Sequence, residues 1–287
     1  MIFALVKRNL KLYFRDKASI FFSMLGVLLI ILVYVLFLGN MVSGIADSFS
    51  DGNSRFFMDS WIMAGVIAST TMTTALAGFG TMIDDRAKKI VYDFHSSPIP
   101  RSTLVLSYIL SSVTVALIMS LLTLALAQGY IVIYGGQFLS FRAFAQVLGL
   151  IVLSVAASSS FVFFLVAFIK SQNAFGTLSS LIGTLIGFLT GIYVPIGNLP
   201  TAIQWIIKVF PVSHAAAAIR QTMMNEAVAM EYVPDSVKLF MGLEFQYGDY
   251  TLPLLGNILV LVATLVLFFS LSVLIMKIGR ASCRERV

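Results

Sequence analysis

The chain has one cysteine, Cys283, and two histidines, His95 and His214, in 287 residues. A lone thiol excludes an internal disulfide. There is no G-x-x-x-x-G-K-[ST] segment, so nucleotide phosphates are not cradled in a loop of that kind; Gly135-Gly136-Gln137 reads as a turn. No Ser/His/Asp arrangement can be assigned, and the sequence offers no catalytic, cofactor-binding or metal-binding set. Charge is also scarce. Charged residues make up 11% of the chain and hydrophobic ones 59%, against roughly 25% charged in soluble domains. That balance excludes a separate soluble domain of ordinary size.

What charge there is lies outside six uncharged tracts: 18–46, 60–83, 102–141, 143–169, 171–207 and 250–276. A helix needs ~20 mostly apolar residues to cross a bilayer core. A charge at the bilayer centre costs at least ~2.5–3.5 kcal/mol. The tracts therefore predict an all-α integral membrane protein with six transmembrane helices and one domain over residues 1–277. The first tract exceeds the apolar length of a cleaved signal and is expected to remain in the protein.

The net charge of +6 is a topology signal rather than a nucleic-acid footprint. Lys and Arg before span one, between spans two and three, between spans four and five, and directly after span six number eleven, against five on the opposite side. Positive charge concentrates in cytoplasmic loops, which places both termini inside. His95 and His214 then fall on opposite sides and cannot share a metal; each reads as a loop or interface residue.

Along the chain, Phe3, Val6, Leu10, Tyr13 and Phe14 form one helical face opposite Lys7, Arg8, Lys11 and Arg15, the pattern of an interfacial helix. The alternative is a solvated basic start to span one. Span one covers about 18–38, with an irregular outer loop after it. Span two begins near Trp61, an interface anchor. It carries Ser69, Thr70, Thr71, Thr73 and Thr74, which either pack a helix contact or line a polar path. Segment 84–101 (DDRAKKIVYDFHSSPIPR) reads as a short amphipathic helix stopped by Pro98 and Pro100. Span three ends near Tyr134, and span four covers about 144–168. Span five carries Gly183, Gly187 and Gly191, spaced for close helix approach. Pro195, Pro200 and Pro211 then break the chain into short outer re-entrant or interfacial helices over 201–210 and 213–225. Span six covers about 251–276.

None of the six tracts holds an Asp or Glu. Proton-coupled carriers use ionisable groups in the membrane, so driving energy is expected from another source.

Three segments resemble a known family. Residues 5–24 (LVKRNLKLYFRDKASIFFSM), 91–110 (VYDFHSSPIPRSTLVLSYIL) and 191–215 (GIYVPIGNLPTAIQWIIKVFPVSHA) resemble the opening, the loop between spans two and three, and the segment after span five in permease subunits of type-2 ABC exporters. The resemblance implies two permease subunits, paired copies or paralogues, in the cell membrane. It implies a separate cytosolic ATPase holding ATP and Mg, with no cofactor on this chain. By position it implies ATPase coupling at Arg86, Lys88, Lys89, Asp93 and Phe94. Spans two and five, with Thr70, Thr74, Gly183, Gly187 and Gly191, would line the pathway or subunit interface. Pro195, Pro200 and Pro211 would form the outer gate. Drugs, lipids, peptides and glycans all suit such a lining. Other readings of the same residues are a non-transporting membrane sensor or assembly scaffold, and an ion-coupled secondary transporter. Residues 278–287 (IGRASCRERV) resemble a translated sequencing adapter and are expected to be non-native.

Overall fold

The computed structural model describes residues 1–34 and 53–284, with the side chains at 19, 22, 33, 95 and 275–284 outside that description. The outer loop read at 39–52 and the His95 side chain therefore lie outside the described residues. The helices are α1 (Ile2–Arg15), α2 (Lys17–Val33), α3 (Ser54–Ala87), α4 (Ile90–Ser96), α5 (Arg101–Ile133), α6 (Phe141–Ala167), α7 (Gln172–Leu189), α8 (Thr201–Val209), α9 (Pro211–Met224), α10 (Asp235–Met241) and α11 (Leu254–Arg284). A two-stranded antiparallel hairpin, β1 (Phe245–Tyr247) and β2 (Tyr250–Leu252), precedes α11, with Phe245 opposite Leu252 and Tyr247 opposite Tyr250.

Local chemistry sets the element ends. The Ser140 hydroxyl accepts from the Ala143 amide to start α6, and Ser171 does the same for Ala174 at α7, each satisfying an orphan amide of a first turn. Pro211 stands at the first position of α9, where its missing N–H costs nothing. Helix α5 stops at Tyr134 and Gly135, whose φ of +92° suits glycine. Thr251, expected inside span six, lies in β2.

Helix α3 is the central element, packed by α5, α6 and α9. Its close approach to α5 depends on Gly78: a Cβ there would stand 2.7 Å from Ser112 Cα. Ser112 also donates to Ala75 O at 2.8 Å, tying the two helices in the apolar interior. The helix starts at Ser54, so Trp61 is not an interface anchor. It is buried, and its indole N–H donates to Met241 O at 2.9 Å.

Helices Ser54–Ala87, Arg101–Ile133, Phe141–Ala167 and Leu254–Leu274 are long and apolar enough to cross a membrane. The α8–α9 pair, bent by 84°, makes a fifth if counted as one span. Six spans were expected from the sequence. The difference lies in α2, described over 17 residues, and α7, whose 18 residues open with Gln172 and Asn173. An 18-residue helix is about 27 Å long, and a polar first turn shortens its apolar part further.

Candidate functional site

One face of α3 forms the floor of a cleft of about 930 Å³. Ser69, Thr73, Ala77, Gly80, Asp84 and Lys88 lie along this floor, spaced three or four apart as one helix face requires. Helix α2 supplies one wall through Gly26, Val27 and Ile30, and α7 the other through Phe175, Ser179, Gly183 and Ile186. The hydroxyls are partnered within α3. Ser69 and Thr70 each donate to Val66 O at 2.8 Å, and Thr73 donates to Ser69 O at 3.2 Å. Each oxygen keeps an acceptor lone pair. The result is an apolar groove studded with weak polar points and charged at one end, a lining suited to an amphipathic molecule.

At the charged end, α1 turns a polar edge inward. Arg8 forms a forked pair with Asp85, donating to its two oxygens at 2.7 and 2.9 Å. Tyr108 of α5 donates to the same carboxylate at 2.6 Å, and Asn9 donates to Ser111 Oγ at 3.3 Å. The Arg8 guanidinium lies 5.3 Å from the Phe94 ring centre. Its hydrogen bond to Asp85 raises its pKa, outweighing the lowering by burial. One carboxylate thus joins α1, α3 and α5, and Arg8 extends the joint to α4. On α1 the expected apolar face is only partly inward: Tyr13 is buried, but Phe3 is exposed, and Leu5 and Asn9 take the inner positions.

The coupling residues read from the sequence divide into two groups. Arg86 lies in the last turn of α3, not in α4, and donates to Val166 O and Ile169 O at 3.3 and 3.2 Å, covering the free carbonyls at the end of α6. Phe94 packs inward beneath Arg8. Lys88 pairs with Asp84 at 3.5 Å and is largely exposed. Lys89 is exposed, with φ of +61°, at the turn between α3 and α4; Asp93 is exposed in α4. Lys88, Lys89 and Asp93 therefore present the outward surface of this end.

The pathway residues divide likewise. Thr70 and Gly183 line the cleft. Thr74 is fully buried, donating to Thr70 O at 2.6 Å, and the cleft position next to it belongs to Thr73. Gly187 is covered by the Tyr193 ring. Gly191 lies beyond the helix. Its amide donates to Phe188 O at 3.1 Å and that of Ile192 to Gly187 O at 2.8 Å, and its φ is +69°. That is a Schellman C-cap, so the three glycines do not form one flat helical face.

At the far end, Pro195 opens a 3-10 turn over Ile196–Asn198, Pro200 precedes α8 and Pro211 begins α9. His214, expected in a loop or interface, is buried between Asn257 Oδ1 at 2.7 Å and Lys208 O at 2.8 Å. Arg220, one of the five Lys and Arg counted from the sequence on the side opposite the termini, is fully buried.

Sequence reasoning missed Arg8, Asn9, Asp85 and Tyr108 as a unit. Asp85 sits just past the uncharged tract, and its partner lies 77 residues away. The available signal was an acid at the end of an apolar tract together with a polar residue, Asn9, among the basic positions of the first helix.

A protein-family model described as ABC-2 type transporter matches residues 1–224. The match runs from α1 through the end of α9 and takes in the cleft, the Arg8–Asp85 joint and the broken α8–α9 pair. No curated protein matched the chain. With most of its length matched, this multi-pass membrane protein belongs to the ABC-2 type transporter family, the membrane component of ABC transporters.

Proposed function

We propose that the chain is the permease subunit of an exporter in the cell membrane, driven by ATP hydrolysed on a separate cytosolic subunit with its Mg. Both termini face the cytoplasm. Helices α2, α3, α5, α6, α7 and α11 are the six spans, and the bent α8–α9 pair is re-entrant at the outer mouth. The excess of Lys and Arg at the α1–α4 end supports this orientation. A second permease, the same chain or a paralogue, closes the cleft across α2 and α7.

The observation that carries this reading is the α3 cleft. Its charged end is joined through Arg8–Asp85 to the two short helices, α1 and α4, that an ATPase would meet first. Closure beneath them would move α3 directly. Lys88, Lys89 and Asp93 are the docking surface, while Arg86 and Phe94 transmit from within. The cleft lining favours amphipathic substrates, drug-like or lipid-like. Pulling down the tagged chain from its native membrane should co-purify an ABC ATPase, and adding the chain in nanodiscs should raise that ATPase's turnover. A chain that brings down no ATPase and leaves hydrolysis unchanged contradicts the proposal.

A further inference from the structure

Arg220 of α9 is the largest fully buried side chain among the described residues. Its Nε donates to Trp61 O at 3.2 Å, and its guanidinium lies 4.6 Å from the Trp61 ring centre. Its two terminal nitrogens, Nη1 and Nη2, have no hydrogen-bond partner among the described residues. A buried cation left without an anion is costly, and buried polar groups of folded proteins are nearly always satisfied. Four N–H donors are therefore held ready for an acceptor.

Their position points to the acceptor's source. On α3, Ser69 and Thr73 line the cleft, and Gly65 is the next residue on that face, one turn farther from the charged end. At Gly65 the floor is hidden. A Cβ there would stand 2.8 Å from Ile192 Cγ1 and 2.9 Å from Arg220 Nη2, so only glycine admits both. A Cβ on Gly191 would lie 3.4 Å from Nη1. The cover is thus the turn Gly191–Ile192–Tyr193, directly after α7, whose Tyr193 itself lines the cleft. The turn is held by three amide bonds to the end of α7, from Gly191 to Phe188 O and from Ile192 and Tyr193 to Gly187 O. From Lys88 to Gly65 the track measures about 35 Å at 1.5 Å per residue, matching a bilayer core of about 30 Å.

We propose that Arg220 is a concealed anion site at the outer end of the cleft, binding the carboxylate or phosphate group of an amphipathic substrate when the Gly191–Tyr193 turn swings aside. The apolar tail lies along the hydroxyl-studded floor, and Nη1 and Nη2 take two oxygens of the anion in the fork geometry that suits guanidinium. The assignment rests on the permease reading and names its substrate class.

The chain carries its own reporter. Trp61 and Trp205 are the only tryptophans, so Trp205→Phe leaves Trp61, against Arg220, as the sole emitter. The full chain carrying W205F in phosphatidylcholine nanodiscs is titrated with dodecyl phosphate, dodecanoate, dodecyltrimethylammonium and inorganic phosphate. A saturable change in Trp61 emission with the two anionic amphiphiles, and none with the other two probes, is expected. Arg220→Met in that background should weaken binding about 30-fold or more, while Arg220→Lys, which keeps the charge but loses the fork, should weaken it less than Arg220→Met does. Ile192→Ala, which thins the cover, should tighten it about tenfold by raising the open fraction. Equal responses to the ammonium or to inorganic phosphate, an unchanged Arg220→Met titration, or no tightening in Ile192→Ala overturns the proposal. So does a spectral change caused by phosphatidylglycerol discs alone, which would make resident lipid the ligand. Should Arg220→Met fail to fold, the probe series and the Ile192→Ala arm decide. No ATPase is present in this assay, so its failure leaves the permease reading standing, and loss of ATPase co-purification leaves the binding result standing.

Discussion

Removing Arg8 should cost more than removing the charge it faces. The Asp85 side chain is 4% exposed and that of Arg8 30%. In Arg8→Met, the buried Asp85 carboxylate keeps only the Tyr108 hydroxyl of its three donors. Stranding one member of a buried pair costs about 3–5 kcal/mol. In Asp85→Asn, one amide oxygen still accepts from Tyr108, and Arg8 reaches water or headgroups through its exposed third. Two charge-assisted bonds become one neutral contact or none, a loss of about 1.5–3 kcal/mol, at the low end because exposure screens the pair. The double variant removes both charges together and leaves nothing stranded. It should lie within about 1 kcal/mol of Asp85→Asn, giving a coupling of at least 2 kcal/mol. Reversible unfolding of the four proteins in mixed micelles by denaturing detergent measures this cycle. Additivity to within about 0.5 kcal/mol, or Asp85→Asn as the worse single variant, would refute the assignment of this joint as a buried ion pair.

Two further outcomes follow from the packing and the outward charges. Gly78→Ala places a methyl 2.7 Å from Ser112 Cα, where no flexible side chain can give way, and should destabilise the α3–α5 contact by about 1–3 kcal/mol in the same unfolding assay; an unchanged midpoint would mean that the helices separate freely. Reversing the charges at Lys88 and Lys89 together should preserve folding, because both are exposed, and, if the proposed docking surface is right, uncouple ATP hydrolysis from transport; normal transport in that double variant removes them from the coupling surface.

The long helices α3, α5, α6 and α11 were legible in the sequence because the cost of desolvating charge writes itself into uncharged tracts. The Gly135–Gly136 stop and the break at Pro211 were legible for equally local reasons. Gly191 misled because a spacing of four was read through to a residue where the helix has already ended; its left-handed φ belongs to a cap. Arg86 misled because the tract ends at Ile83 while the helix runs on to Ala87, turning that charge toward α6. Trp61 looked like an interface ring, yet α3 begins two turns earlier and carries it into the core. Arg8 with Asp85, and Arg220 with Trp61, join residues 77 and 159 apart. No local period encodes such partners.

Cys283 is the only cysteine, so Cys283→Ser gives a clean background for two adjacent probes on α3. Thr73→Cys faces the cleft, and Thr74→Cys occupies a fully buried site. Their labelling by a charged maleimide, in membranes with the ATPase subunit bound and with or without ATP, reports directly on whether the α3 cleft is the energised pathway. Thr73→Cys should label and its rate should change severalfold when ATP is added, while Thr74→Cys stays unlabelled throughout. Equal labelling at the two positions, or a Thr73→Cys rate indifferent to ATP, would contradict a pathway along α3 driven from the Arg8–Asp85 end.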